Sequence, residues 1–114
     1  MKLIIQTAAE DDMLRQFDWY EDQGLSDIAD RFDLAVRASI SAALKRPKAG
    51  APKHLRNPQL AGLRSWSVEG FDEFHVYYLI RDDAFTVVRI LHDKRDVSSI
   101  LGKQSLDDPG SKID

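Results

Sequence analysis

The apolar residues of this chain repeat at a helical period before Pro47 and at a strand period after Gly62. Before Pro47 they recur every three or four positions, which is typical of amphipathic helices. After Gly62 they alternate in twos and are rich in aromatic and β-branched types, which is typical of strands. A chain divided in this way is expected to pack helices on an antiparallel sheet, an α+β architecture.

Two helices are predicted before Pro47, from about Ala8 to Asp22 and from about Ser26 to Arg46. The short link around Gly24 predicts an antiparallel helical hairpin. The apolar stripe of the first helix consists of Ala9, Met13, Phe17 and Tyr20. The stripe of the second helix consists of Leu25, Ile28, Ala29, Phe32, Val36, Ile40, Ala43 and Leu44. A short apolar run at residues 3–5 predicts a first strand ahead of the hairpin.

Three further strands follow a segment, residues 47–62, whose three prolines and two glycines predict irregular structure, either ordered or mobile. The predicted strands are Leu63–Glu69, Phe74–Ile80 and Phe85–His92. Both sides of the last two are mainly apolar, so we expect them to lie centrally, between the hairpin and another layer. The order β-α-α-β-β-β thus predicts a three-stranded antiparallel meander, with the first strand on its edge or between its strands.

Composition narrows the possible functions of this 114-residue chain. It has the size of one domain, predicted at residues 1–101, followed by a flexible tail at residues 102–114. The absence of cysteine excludes disulfides and thiolate metal sites. His54 and His75 lack metal-ligand spacing and the glycines form no phosphate-binding loop, so we predict no metal and no cofactor. Without a signal peptide or a membrane-spanning run, the chain is predicted to be cytoplasmic, with no membrane partner.

Charge is unevenly distributed along the chain, although the net charge is only −3. Residues 10–33 are mainly acidic, whereas residues 45–64 carry six bases and no acid. This pattern allows two interpretations: two solvated faces, or a basic stretch that meets an acidic or anionic partner.

Three stretches in this order resemble the ParE branch of the ParE/RelE toxin superfamily. They are Arg46–Pro52, Gly62–Val68 leading into Phe74–Tyr78, and Arg89–Asp96. The resemblance covers about Leu3 to Leu101. It implies the toxin of a type II toxin–antitoxin system, which acts in growth regulation and plasmid stabilisation. A cognate antitoxin would silence it in a hetero-oligomer, lying across the hairpin and an open sheet, and DNA would be contacted only through the antitoxin.

The resemblance also implies how the toxin acts, because ParE-like members inhibit DNA gyrase by direct binding, whereas RelE-like members cleave mRNA in the ribosome. Cleavage needs groups that activate a 2′-hydroxyl and stabilise a phosphate. RelE-like members are basic there and have a late tyrosine, whereas this chain has no tyrosine after Tyr78 and ends in an acidic stretch. We therefore predict a gyrase-binding toxin with no catalytic residues. The alternatives are a ribosome-dependent endoribonuclease and a non-toxic member that only binds its antitoxin.

Two sets of candidate contact residues follow. The antitoxin-binding candidates are Phe17, Trp19, Tyr20, Arg64, Trp66 and Tyr77. The target-contact candidates are Arg89, His92, Arg95 and Asp96. Several have a structural alternative: Trp66 as a core residue, Asp96 as the cap of a short helix at residues 97–101, and His92 as a ring bonded to backbone or to Asp96. Arg89, between apolar strand neighbours, is either paired with a carboxylate or pointed at a partner. Trp19 lies off the apolar stripe, so we expect it to be partly exposed.

Overall fold

The computed structural model describes residues 1–106 and 111–113, which form a mixed sheet with a helical hairpin on one face. The helices are α1 (Thr7–Asp22), α2 (Ser26–Lys45) and α3 (Val97–Gly102), with a 3₁₀ turn at Pro58–Leu60. The strands are β1 (Lys2–Ile5), β2 (Ala51–Pro52), β3 (Arg64–Val68), β4 (Phe71–Arg81), β5 (Ala84–His92) and β6 (Ser111–Ile113). The predicted α+β class and element order are confirmed.

The strands form one sheet in the order β2-β3-β4-β5-β1-β6. β3, β4 and β5 make the predicted antiparallel meander. β1 lies beside β5 and runs parallel to it, with Leu3 opposite Phe85 and Ile5 opposite Val87. Of the two predicted positions for the first strand, the edge of the meander is therefore the observed one.

The structure corrects the predictions for the irregular segments. Residues 47–62 were expected to hold no regular element, but Ala51–Pro52 pairs with β3 and Pro58–Leu60 forms a 3₁₀ turn. In the predicted tail, Ser111–Ile113 pairs antiparallel with β1, whereas residues 107–110 and 114 lie outside the described residues. The hairpin turn between β4 and β5 is confirmed. Asp82 (51°) and Asp83 (60°) both have positive φ, as a two-residue hairpin turn of type I′ requires.

Residues of β4 and β5 enter two separate cores, one on each face of the sheet. They alternate along β4, whereas a register shift in β5 places Val87 and Ile90 in one core and Val88 and Leu91 in the other. The hairpin-side core joins α1 and α2 to the sheet around Phe32, whose ring lies 5.0 Å from that of Phe74 and 5.3 Å from that of Phe71. The far-face core contains Leu60, Leu63, Tyr77, Leu79, Val88, Leu91 and Leu101. Two buried faces explain why both sides of these strands are apolar.

The far face of the sheet is covered by the chain itself, in contrast to the open sheet expected for an antitoxin. α3 contributes Leu101 to this layer, and the segment before β3 contributes Leu60 and Leu63. The side chain of Asn57 ties the two parts together by donating to the carbonyls of Leu101 (3.0 Å) and Gln104 (2.8 Å). A partner therefore meets this layer rather than the bare sheet.

The start of the basic stretch, residues 45–64, is held against the meander by the hydroxyl of Tyr78. This hydroxyl donates to the carbonyl of Pro47 (2.7 Å) and accepts from the amide of Gly50 (3.1 Å). The carbonyl of Gly50 in turn accepts from Arg64 Nη1 (2.7 Å). Gly50 is buried, and a Cβ there would collide with the Tyr78 hydroxyl and approach the Ser65 carbonyl to 3.0 Å. Glycine is thus required by close approach of the two segments.

Replacing Gly50 with alanine is expected to destabilise the fold by about 1 to 3 kcal/mol, the usual cost of overpacking a filled interior. The measurement is the free energy of unfolding from urea titration. Gly102→Ala is the matched control, because a Cβ at Gly102 meets no atom within 4 Å; its effect should stay within about 0.5 kcal/mol. Equal stability of the two variants would contradict the close approach.

The fold should lose stability at alkaline pH because of two buried tyrosines. Burial raises the pKa of Tyr77, and the nearby Asp93 raises it further. Burial also raises the pKa of Tyr78, against the opposing effects of Gly50 and Arg64. Above the ordinary value of 10.0, the unfolded chain therefore releases protons that the folded chain retains, and stability falls as pH rises. The urea midpoint should be steady up to about pH 9 and then decline, less steeply in Tyr77→Phe; a midpoint independent of pH would refute this.

Candidate functional site

The buried face of α1 carries a carboxylate, Asp12, whose side chain is only 4% exposed. It accepts from Arg89 twice, Nε to Oδ2 and Nη2 to Oδ1, both at 2.8 Å. It also accepts from the amide of Ile90 (2.9 Å) and from Arg15 Nη2 (3.2 Å). This bidentate, charge-assisted pair fastens α1 to β5.

Two alternatives were predicted for Arg89, pairing with a carboxylate or pointing at a partner, and the structure shows the pairing. Its side chain is 12% exposed, and its third nitrogen, Nη1, donates to Gln104 Oε1 at 3.1 Å. The hydrogen bonds to Asp12 raise the pKa of Arg89 above its ordinary value, although burial opposes them. The guanidinium is thus charged, and each of its three nitrogens donates to a group inside the fold.

His92 ends β5 with both ring nitrogens bonded. Nδ1 accepts from the amide of Lys94 (3.0 Å), and Nε2 lies 2.7 Å from Glu73 Oε2. Because Nδ1 accepts, the ring proton sits on Nε2, which donates to Glu73. The ring also meets Phe74 edge to face at 4.9 Å. The predicted backbone bond is confirmed, but the carboxylate partner is Glu73 rather than Asp96, which caps α3 by accepting from the amide of Ser99 (3.2 Å).

A groove opens beside His92, and a smaller cleft adjoins it. We call the two together the Trp19 groove. Trp19 is 52% exposed, as its position off the stripe predicted. The groove has a volume of about 520 Å³ and is lined by Gln16, Trp19, Tyr20, Gly70, Phe71, Asp72, Glu73, Phe74 and His92. The adjoining cleft, of about 210 Å³, shares Gln16, Trp19, Phe74 and His92 with it and adds Asp12, Arg15, Ile90 and Arg95. Two residues predicted to bind the antitoxin, Trp19 and Tyr20, thus lie with two predicted to contact the target, His92 and Arg95.

A second groove, the hairpin groove, lies on the other flank of α1. It has a volume of about 460 Å³ and is lined by Ile5, Glu10, Met13, Leu14, Phe17, Asp33 and Arg37. Phe17, predicted to bind the antitoxin, lies here and is half-buried. Leu14 is 59% exposed, and Leu34, one turn of α2 before Arg37, is 66% exposed. Sequence reasoning missed these two leucines, although apolar residues outside the apolar stripe were a signal for them.

The remaining antitoxin candidates are not brought together with these grooves. Trp66 packs against the hairpin-side core, which was its structural alternative. Arg64 is half-buried and bonded to Gly50. Tyr77 is 4% exposed and lies in the far-face core. A surface contact by Tyr77 does not fit this position, because α3 and residues 55–63 cover it.

The basic stretch, residues 45–64, presents most of its charged side chains to solvent. Its exposed cations are Lys45, Arg46, Lys48, Lys53 and Arg56. None of them forms an ion pair with another of the described residues. Their charges are therefore not neutralised by that part of the chain.

Two further features are absent from residues 1–106 and 111–113. These residues contain no cluster of three or more histidine and carboxylate side chains suited to a metal ion. Among them, no helix combines the length and the apolar character that crossing a membrane requires.

Comparison with models of protein families gives a match. The family model described as "ParE toxin of type II toxin-antitoxin system, parDE" matches residues 3–97, well over half of the chain and the part that contains both grooves. No curated protein matches the chain.

Removing either partner of the buried ion pair, by Asp12→Ala or Arg89→Ala, is expected to cost about 3 to 5 kcal/mol, because it leaves a charge buried without its partner. The double variant should be less destabilised than the sum of the two. Urea unfolding measures all three. Arg15→Ala is the matched control: it removes an exposed arginine from the same carboxylate and should cost less than about 1 kcal/mol. Additive effects, or an Arg15→Ala effect as large as that of Arg89→Ala, would contradict this account.

Proposed function

Because the chain belongs to the ParE toxin family of type II toxin–antitoxin systems, we propose that it arrests growth by binding DNA gyrase, with no catalysis of its own. A cognate antitoxin would silence it in a hetero-oligomer, and DNA contact would come only through the antitoxin. Since gyrase acts on the chromosome, the toxin would work in the cytoplasm.

The observation that carries this proposal is that three polar side chains of the Arg89–Asp96 stretch, those of Arg89, His92 and Asp96, already have structural partners. Arg89 is bonded to Asp12 and Gln104, and His92 is bonded through both ring nitrogens. Asp96 caps α3. RNA cleavage by general acid–base catalysis needs such groups free to reach a 2′-hydroxyl and a phosphate. Their engagement favours inhibition by contact over cleavage.

The antitoxin-binding surface that we propose is the hairpin groove. Its exposed Leu14, together with the exposed Leu34 one turn of α2 before the groove residue Arg37, would receive the apolar face of an antitoxin helix, which recurs in recognition as helix-in-groove binding. Phe17 forms part of the wall, and the Asp33–Arg37 ion pair (3.0 Å) supplies a polar rim. The exposed cations of residues 45–56 would then meet an acidic stretch of the antitoxin, so the same partner would use apolar and charged surfaces.

A supercoiling assay tests the proposed target. Purified gyrase converts relaxed plasmid to supercoiled plasmid, and the purified chain should suppress this conversion in proportion to its concentration. Adding the protein encoded by the neighbouring reading frame, as the antitoxin, should restore it. Supercoiling that is unaffected at saturating chain would refute gyrase as the target.

Induction of the chain in growing cells separates the alternatives. Growth arrest with loss of supercoiling and intact mRNA is expected. Codon-phased cuts in translated mRNA would instead identify a ribosome-dependent nuclease. Normal growth without the antitoxin would identify a non-toxic member that only binds its partner.

A further inference from the structure

The two flanks of α1 present two different apolar surfaces, although one partner helix needs only one of them. Leu14 and Phe17 face the hairpin groove, and Arg15 and Trp19 face the Trp19 groove. Each pair is three or four residues apart, so each shares one flank of the helix. The apolar side chains of the hairpin groove are mainly unbranched or aliphatic (Ile5, Met13 and Leu14, with Phe17), whereas those of the Trp19 groove are mainly aromatic.

The aromatic wall of the Trp19 groove is built on the core. Phe71 and Phe74 line the groove and also pack on the fully buried Phe32. Tyr20 meets Phe71 at 6.3 Å, and Trp19 meets Tyr20 edge to face at 5.4 Å. A partner's apolar side chain would thus enter a formed pocket, so little binding energy is lost to ordering the site.

The charges at the two ends of the Trp19 groove have opposite sign. Asp72 lies at one end and is exposed, and Arg95 lies at the other and is exposed as well. Neither forms an ion pair with another described residue, whereas Glu73 is held by His92 and Arg15 is bonded to Asp12. A complementary ligand is a protein segment with a large apolar side chain in the middle, a basic residue toward Asp72 and an acidic residue toward Arg95.

We propose that the Trp19 groove is the surface with which the toxin binds its target, and that it takes a segment of gyrase of this chemistry, anchored against Trp19. The inference rests on the proposed function and adds the site at which it acts. From the sequence, Trp19 and Tyr20 were predicted to bind the antitoxin, whereas His92 and Arg95 were predicted to contact the target. Because these four residues line one continuous groove, we assign them to one partner.

The positions of the two grooves also explain how an antitoxin would silence the toxin without touching its target-binding residues. An α-helix with its side chains is about 10 to 12 Å wide. A protein interface of about 800 Å² per partner extends about 30 Å across. A partner seated on the Leu14 flank therefore overhangs the Trp19 flank, and gyrase is excluded by bulk.

Two matched alanine variants test this assignment. Trp19→Ala and Leu34→Ala each remove an apolar side chain that is more than half exposed, so both should unfold at the wild-type urea midpoint. Trp19→Ala should weaken inhibition of supercoiling about 30-fold or more, the effect of a central tryptophan in an interface, and should retain binding to the neighbouring-frame antitoxin. Leu34→Ala should inhibit supercoiling like the wild type and bind the antitoxin more weakly.

A fluorescence measurement locates the contact directly, because the chain has two tryptophans, Trp19 and Trp66. Trp66→Phe labelled with 5-hydroxytryptophan reports on position 19 alone, at wavelengths where the tryptophans of a partner are silent. Binding of purified gyrase should shift this emission to the blue and protect it from acrylamide. Trp19→Phe, labelled in the same way, reports on position 66 and should change little.

Each outcome decides between the proposals. Inhibition by Trp19→Ala equal to that of the wild type, or a reporter at position 19 that gyrase binding does not change, would overturn the groove assignment and leave gyrase as the target. Loss of antitoxin binding with inhibition retained in Trp19→Ala would make the antitoxin the occupant. A wild-type chain that does not inhibit gyrase would overturn the proposed function itself, and the assignment with it.

Discussion

The buried ion pair between Asp12 and Arg89 determines how α1 sits on the sheet. The carboxylate on α1 must face the guanidinium on β5, because either charge left alone in the interior would be strongly destabilising. Successive helix residues point about 100° apart, so this one contact sets the rotation of α1 about its axis. Asp12 and Trp19 are seven positions apart and line the same cleft, so the contact places Trp19 on this flank of α1 and leaves Leu14 on the other. Both candidate binding surfaces depend on this orientation.

The same pair connects the helical layer to the layer on the far side of the sheet. Arg89 also donates to Gln104, and Asn57 donates to the carbonyl of Gln104. Tyr78 adds a second connection by holding Pro47 and Gly50 against the meander. The described elements therefore enclose the sheet on both faces, and both apolar grooves lie on the flanks of the hairpin. The side chains of Arg89, Asn57 and Tyr78 serve here as connectors between layers.

Membership of the ParE toxin family and the engagement of Arg89, His92 and Asp96 lead to the same view of how this protein works. A toxin that acts by contact needs a preformed surface for its target and a nearby surface for the protein that silences it. In the proposal above, the Trp19 groove and the hairpin groove would have this relation, because both are lined by α1. Two partners of ordinary interface size on opposite flanks of α1 would then overlap. Neutralisation would then be a consequence of geometry, with no change of conformation in the toxin.

Local pattern alone determined the two helices of the hairpin and the strands β1, β3, β4 and β5, because the periods of helices and strands are set by residues two to four positions apart. Phe32, Val36 and Ile40 gave α2 its buried face, and alternation along β4 and β5 predicted apolar layers on both sides of the sheet. The cap at Asp96 and the turn at residues 81–84 followed from equally local signals. The partly exposed Trp19 followed because it lies off the helical stripe.

Only the tertiary structure decided which distant groups meet. Asp12 and Arg89 are 77 positions apart, so the sequence left open whether Arg89 pairs inside or points outward. The same holds for the parallel pairing of β1 with β5, the burial of Tyr77 and the meeting of Trp19 with His92 and Arg95. Such contacts depend on how whole elements pack, and neither the period nor the spacing of residues along the chain contains that information.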